Sequence, residues 1–527
     1  MNRPRLLHDL VARAAATTAD APALIHKDDC LSFAQLQARI DAFAAALCGL
    51  GLLPDERVAV VLPKQTEAVV AIFGASAAGG VVVPVNPLLK PLQVAYILKN
   101  CNVRVLVTSA ERARQLESVL TECHDLNTLV LVAPEDGFET AATSRVLGWD
   151  ALMRVPPKPR HDRIDTDMAA ILYTSGSTGL PKGVVLSHRN MVVAAESTAE
   201  FLALTQSDRL LAVLPLSFDY GLSQLTSAYA AGGSVVLMEY LLPRQVIKNI
   251  ARHGVTGVSA VPPIWNQLAV LDWPQAAVDS LRYITTSGGV ARQATLRSLR
   301  DKLPRTRVFK MYGLTEAFRS AYLCPEEIDQ RPDSVGKAVP SARLCVVRED
   351  GSPCAPGEPG ELVHRGSLVA MGYWNDPERT RERFRPAPGQ SAGLVLPEIA
   401  VWSGDQMQMD EDGYLYFVSR KDEMIKTSGY RVSPTEVEEV VFASGLVAEA
   451  VALGVPHPEL GQAIVLLAHA GHGKALAADD LVNYCREQLP TYMIPSHVDV
   501  REELPKNPNG KVDRAALLAE FRDYFTR

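Results

Sequence analysis

The chain contains no C-x-x-C pair and no histidine cluster at metal-ligand spacing, although it has eight cysteines, Cys30, Cys48, Cys101, Cys123, Cys324, Cys345, Cys354 and Cys485. Thiols scattered in this way argue against a disulfide framework or a zinc site and fit a reducing compartment. Basic charge is not in surplus either. The formal net charge is -7, which argues against a polyanion-binding surface and makes nucleic acid an unexpected partner. A secretory leader is not expected: Arg3 and Arg5 are followed by Asp9 and Arg13, which interrupt any apolar core. An unbroken membrane span is missing too. The uncharged run from Ala68 to Leu89 is long enough to cross a bilayer, but Gly74, Gly79, Gly80, Pro84, Asn86 and Pro87 punctuate it, so a buried helix followed by a core strand is expected. No short-period repeat occurs. These absences together predict a cytoplasmic protein without a transmembrane segment.

What is present is a chain of 527 residues, 47% apolar and 21% charged, too long for one hydrophobic core. Strand and helix patterns alternate through the first 300 or so residues. Arg57 to Leu62, Ser234 to Leu237 and Arg307 to Lys310 read as strands, and Ala38 to Leu47 reads as a helix ended by Gly49 and Gly51. This alternation favours parallel sheets covered by helices. After about residue 330, Gly351, Pro353, Pro356, Gly357, Pro359 and Gly360 punctuate short strands, as in a small antiparallel barrel or sandwich. The charged cluster Arg420-Lys421-Asp422-Glu423 marks a boundary, beyond which Ser433-Pro434-Thr435-Glu436 has the form of a capping box opening a helix. The expected architecture is α/β: a large N-terminal domain (1–419) of two doubly wound subdomains plus a small β-barrel, a hinge at 420–423, and a small mobile α+β domain (424–527).

The segment Thr174-Ser175-Gly176-Ser177-Thr178-Gly179-Leu180-Pro181-Lys182-Gly183 packs four hydroxyls, three glycines and one lysine into ten residues. Unobstructed backbone N–H groups beside a cation are what a polyphosphate requires. Flanking apolar runs, Met168 to Tyr173 and Gly183 to Ser187, place the loop between two strands. A Walker A loop would instead need Gly-Lys-Ser/Thr opening a helix. A flexible linker would need neither the lysine nor the strands. Met311-Tyr312-Gly313-Leu314-Thr315-Glu316 is a second landmark, a hexapeptide that ends in a hydroxyl and a carboxylate. Pro505-Lys506-Asn507-Pro508-Asn509-Gly510-Lys511 shapes a rigid turn that presents Lys511.

These three motifs resemble those of the AMP-forming adenylating enzymes, the superfamily of acyl-CoA synthetases, peptide-synthetase adenylation domains and firefly luciferases. The wording is closest to exosortase A-associated acyl-CoA ligases and more distantly similar to prolyl carrier-protein ligases. The resemblance covers essentially the whole chain. It implies that Thr174, Ser175, Gly176, Ser177, Thr178, Gly179 and Lys182 bind the phosphates of ATP, that Tyr312 packs on adenine, that Thr315 touches the α-phosphate and that Glu316 helps hold Mg²⁺. It assigns Asp405 and Arg420 to ribose, Arg431 to a phosphate or the thiol carrier, and Lys511 to the carboxylate and the α-phosphate during adenylation. A fixed cation there relieves repulsion between an anionic acid and an anionic phosphate. Asp422 would be the pivot.

The acid pocket is implied at Asp219, Tyr220, Ser223, Ala260, Thr285, Ser287, Met311, Arg319 and Ser320, a mixture of small polar and apolar groups suited to a modest-sized carboxylate. Phe218-Asp219 departs from the Phe-His of many acyl-CoA synthetases and resembles amino-acid-activating members, whose aspartate pairs with the substrate ammonium. A buried carboxylate needs a partner, and Arg319 is the other one available; both readings stand. The implied reaction joins a carboxylic acid to CoA through an acyl-adenylate, with release of pyrophosphate. The alternative is an amino acid loaded onto the phosphopantetheine of a carrier protein. A P-loop ATPase lacks its motif here, a catalytically silent protein would have lost one of the three landmarks, and no residue asks for luciferase-like oxygen chemistry.

Overall fold

The computed structural model describes residues 3–133, 138, 140, 145–174, 180–289, 291, 293–391, 393–420, 424–470, 476–505 and 512–526. Within the strand Arg57–Val61, Val58 and Val60 join one core while Ala59 and Val61 join another. Successive side chains of a strand point to opposite faces, so a strand this uniformly apolar belongs in a sheet covered on both sides. Its neighbours Val81–Pro84 and Val103–Ser109 run parallel to it. The same sheet takes in the antiparallel pair Met168–Thr174 and Lys182–Ser187, the strand-turn-strand expected around the phosphate motif.

A second sheet is built on the parallel strands Arg209–Ala212, Gly257–Ala260, Tyr283–Thr286 and Arg307–Tyr312. Between the two sheets lie helices covered almost all round. Ten of the twelve residues of Thr66–Ala77 are buried, as are twelve of the thirteen of Asp219–Ala231. One hydrophobic core draws on both sheets and on these helices, so the two α/β halves share a middle layer. The run from Ala68 to Leu89 is a buried helix and a core strand, as expected, and among the described residues no helix is long and apolar enough to cross a membrane.

The small β-barrel expected after residue 330 is corrected by the structure. Strands Ala342–Val347, Gly360–Gly366, Ile399–Met409 and Leu415–Arg420 are antiparallel, but they continue outward from the second sheet. Ser334–Ala338 pairs with Ala321–Leu323 on one side and with Leu415–Arg420 on the other, tying the antiparallel strands to the parallel ones. Among the described residues no closed barrel forms.

The last part of the chain builds a separate sheet from Ile425–Thr427, Tyr430–Val432, Glu449–His457, Gly461–His469 and His497–Val500, with helices Pro434–Ala443, Ala478–Gln488 and Arg514–Phe521. It has its own cores. The expected pivot Asp422 lies outside the described residues. The helix at Pro434 opens as its sequence predicts in one respect, since the Ser433 side chain accepts a hydrogen bond from the Glu436 backbone N–H. The Glu436 carboxylate, however, accepts from Gln93 Nε2 in the large unit at 2.9 Å. Another contact between the units is made by Gly429, at φ +85°: a Cβ there would sit 2.6 Å from Val261 Cγ2. Only glycine permits both that backbone conformation and that approach.

Candidate active site

The central side chains converge at the end of the strand Arg307–Tyr312. Its continuation, Gly313 to Arg319, folds back so that Ser320 N–H donates to the Tyr312 carbonyl at 2.9 Å. A Cβ on Gly313 would fall 2.1 Å from the Phe318 carbonyl oxygen, so the turn requires glycine. This turn delivers Thr315 and Glu316 inward, both buried.

Glu316 Oε1 accepts from Lys182 Nζ at 2.8 Å and from the Tyr373 hydroxyl at 2.6 Å, and Lys182 Nζ also donates to the Tyr373 oxygen at 2.7 Å. Lys182 opens a strand of the first sheet and Glu316 lies in the turn that follows a strand of the second, so the cluster lies where the two meet. Burial pushes the Glu316 carboxyl up, but the charges of Lys182 and Arg431 outweigh it and hold the group well below the usual carboxylate range. Burial likewise pulls Lys182 down, against the charge of Glu316. The result is a carboxylate held ionised in a dry site, beside the Lys182 amino group and within the field of Arg431. Tyr373 was not singled out from the sequence, since a tyrosine in Gly-Tyr-Trp carries no pattern of its own. Strand pairing brings it in: Gly372–Tyr373 lies antiparallel to Lys182–Ser187, with Tyr373 opposite Val184.

Of the phosphate motif, Ser175, Gly176, Ser177, Thr178 and Gly179 lie outside the described residues. Thr174 Oγ1, at the last position of the strand leading into them, is buried with no partner among the described residues. A hydroxyl and an ammonium group at the two edges of the motif suit an anionic oxygen ligand. The Tyr312 hydroxyl donates to Asp405 Oδ2 at 2.5 Å. Arg420 stands opposite Asp405 in the strand register, its side chain outside the described residues. Lys511 is also outside them.

From Thr315 a polar chain runs inward. Thr315 Oγ1 donates to Asp219 Oδ1 at 3.4 Å, and Arg319 donates to Asp219 Oδ2 at 3.3 Å and to Ser223 Oγ at 3.2 Å. The Arg319 guanidinium lies 4.2 Å from the centre of the Tyr220 ring. The Tyr220 hydroxyl shares a hydrogen bond with Thr285 Oγ1 at 2.6 Å, and Thr285 donates to Ser259 at 2.9 Å. Burial raises the Asp219 carboxyl, partly offset by Arg319. Of the two partners foreseen for Asp219, Arg319 is thus in place. Trp265 Nε1 donates to the carbonyls of Ala260 and Thr285, each at 3.0 Å, fixing this part of the sheet. Ser287 and Met311 are buried at the ends of adjoining strands. Ser320 instead turns toward the buried His364, with Oγ 2.9 Å from Nδ1; His364 was not foreseen.

Residues 11–374 match the model of the AMP-binding enzyme family, and residues 436–511 match that of the AMP-binding enzyme C-terminal domain. The long-chain-fatty-acid–CoA ligase of Salmonella typhimurium is 32% identical over 551 aligned residues, covering 99% of this chain and 95% of that one. A linear gramicidin synthase of Brevibacillus parabrevis is 30% identical over 98% of this chain and 10% of its own length. Among solved structures, a double mutant of Bacillus subtilis o-succinylbenzoate CoA synthetase bound with a product analogue, OSB-NCoA, superposes with a TM-score of 0.80 at 27% identity, covering 96% of this chain and 97% of that one. The same synthetase in complex with AMP gives 0.66 with the same coverage. The described geometry and these matches lead to one conclusion: the chain belongs to the AMP-binding enzyme family, the AMP-forming adenylating ligases that its motifs resemble.

Proposed function

We propose that the protein activates a carboxylic acid with ATP and passes the acyl group to the thiol of CoA. A carboxylate oxygen attacks the α-phosphorus, the bond from that phosphorus to the bridging oxygen breaks, and pyrophosphate leaves with the electron pair. In the second step the thiolate sulfur attacks the acyl carbon and AMP departs. The observation that carries the reading is the buried cluster of Lys182, Glu316 and Tyr373 beside Thr315, because positioned charges in a water-poor site act where phosphate charge develops. Lys182 and Thr174 face the phosphates in this reading, and Tyr312 with Asp405 orient the nucleoside. Mg²⁺, when bound, would take Glu316 as its hard ligand and neutralise phosphate charge. Lys511 supplies the cation for adenylation in this reading.

The small unit supports the second half-reaction. Arg431 acts electrostatically on both Lys182 and Glu316, so its charge is felt at the phosphate end. Amino-acid activation is a second reading, favoured by the buried Asp219 standing one hydrogen bond from Thr315. The decisive experiment is acid-dependent pyrophosphate exchange by the wild type and by Lys511→Ala. A folded mutant should lose about 10²–10³ in rate. Unchanged exchange would remove Lys511 from the reaction.

A further inference from the structure

Arg319 is 4% exposed, yet its hydrogen bonds are long and incomplete. A guanidinium has five N–H donors. Here one terminal nitrogen reaches Asp219 Oδ2 at 3.3 Å and the Phe318 carbonyl at 3.4 Å, the other reaches Ser223 Oγ at 3.2 Å, and Nε has no partner among the described residues. Buried polar hydrogens are nearly always paired, so an orphan on a residue held this firmly calls for an acceptor. The holding is firm because Tyr220 lies under the guanidinium plane and Asp219 beside it.

Two features narrow what the acceptor is. Asp219 already neutralises Arg319, so a second carboxylate would bring an uncompensated charge into a dry site, whereas a neutral oxygen would not. The surroundings of Arg319 are polar, the Asp219 carboxylate on one side and the mutually hydrogen-bonded Tyr220, Thr285 and Ser259 hydroxyls on the other, and they offer an alkyl chain nothing in return for lost water. Resting on the ligase reading above, we propose that Arg319 is a specificity-determining residue that donates to a neutral oxygen on the substrate's carbon chain, so that the acid activated is a short one bearing a hydroxyl or carbonyl group. Arg319 acts in this by binding, and the reacting carboxylate stays with Thr315 and Lys511.

Pyrophosphate exchange with butanoate, 3-hydroxybutanoate, 4-oxopentanoate, succinate and hexadecanoate tests this in the full-length protein. The hydroxy or oxo acid should exceed butanoate at least roughly tenfold in kcat/KM, since sites built to hydrogen-bond a substrate oxygen reject analogues lacking it. Arg319→Met should bring that ratio close to one, a change in ranking that a purely structural arginine would not produce. Should Arg319→Met fail to fold, Arg319→Lys, which keeps the charge but loses the planar fork, should still narrow the ratio. A wild type that prefers butanoate, succinate or hexadecanoate overturns the proposal, as does an Arg319 variant with an unchanged ratio, while either result leaves the ligase reading intact. Exchange with no acid of the panel would overturn this proposal, and the same silence with aryl and amino acids added would overturn the ligase reading.

Discussion

Glu436, at the start of a helix in the small unit, accepts a hydrogen bond from Gln93 of the large unit, and its second carboxylate oxygen is buried without a partner among the described residues. Burial pushes its carboxyl up to about 7, helped by the charge of Glu439. A raised carboxyl favours the packed state when protonated. Its contribution is therefore fully present below the ordinary value near 4.5 and is lost as pH rises toward 7. Glu436→Gln keeps the shape and removes the titration. The variant should melt at nearly constant temperature over this window while the wild type declines by the equivalent of about 1–3 kcal/mol; parallel melting curves across pH would refute this.

Tyr373 bridges Lys182 and Glu316 through one hydroxyl. Tyr373→Phe should lower kcat/KM for adenylation about 10–10²-fold, the effect of losing a hydrogen bond to a charged group. Pyrophosphate exchange and a melting curve measured together separate a role in chemistry from one in packing. A lowered melting temperature with unchanged exchange would assign the hydroxyl to stability alone.

Asp219→Ala leaves Arg319 as a buried cation without its carboxylate. Breaking a buried pair in this way costs about 3–5 kcal/mol. Because Arg319 already occupies Asp219, the ranking of proline against cyclopentanecarboxylate should be the same in mutant and wild type. Selective loss of proline activity would instead show that Asp219 binds an ammonium group and revive the amino-acid reading.

Asp422→Pro should impair thioester formation more than adenylation, because proline fixes φ at a position where the small unit would turn between half-reactions. Single-turnover rates for each step provide the measurement. Equal losses would mean that the pivot lies elsewhere.

Glu316 and Asp405 stood out in the sequence because each sits in a short run of residues close together in the chain, and both lie in buried hydrogen-bonded clusters; most of the glycine-rich motif lies outside the described residues. Tyr373 and His364 did not: strand pairing brings Tyr373 beside Lys182 and a side-chain contact across the fold brings His364 to Ser320, and periodicity states neither. The partner of Asp219 stayed undecided for a related reason: Arg319 is 100 residues away. The barrel failed differently. Short strands with frequent turns follow from the Pro and Gly pattern, but whether the last strand closes on the first or joins a neighbouring sheet is a choice made by Ser334–Ala338, which pairs on both edges.

The helical layer shared by the two large sheets also bears on how the protein can be dissected. A gene fragment encoding only the first sheet would strip Thr66–Ala77 of much of the apolar surface that covers it, and a fragment encoding only the second would do the same to Asp219–Ala231. Neither half is a portable module. In a calorimeter the pair should absorb heat as a single cooperative block, with the separately cored C-terminal unit free to give its own transition. Chimeras that exchange acid specificity would then succeed with crossover points beyond this block or with substitutions inside it, and fail with a seam placed between the two sheets.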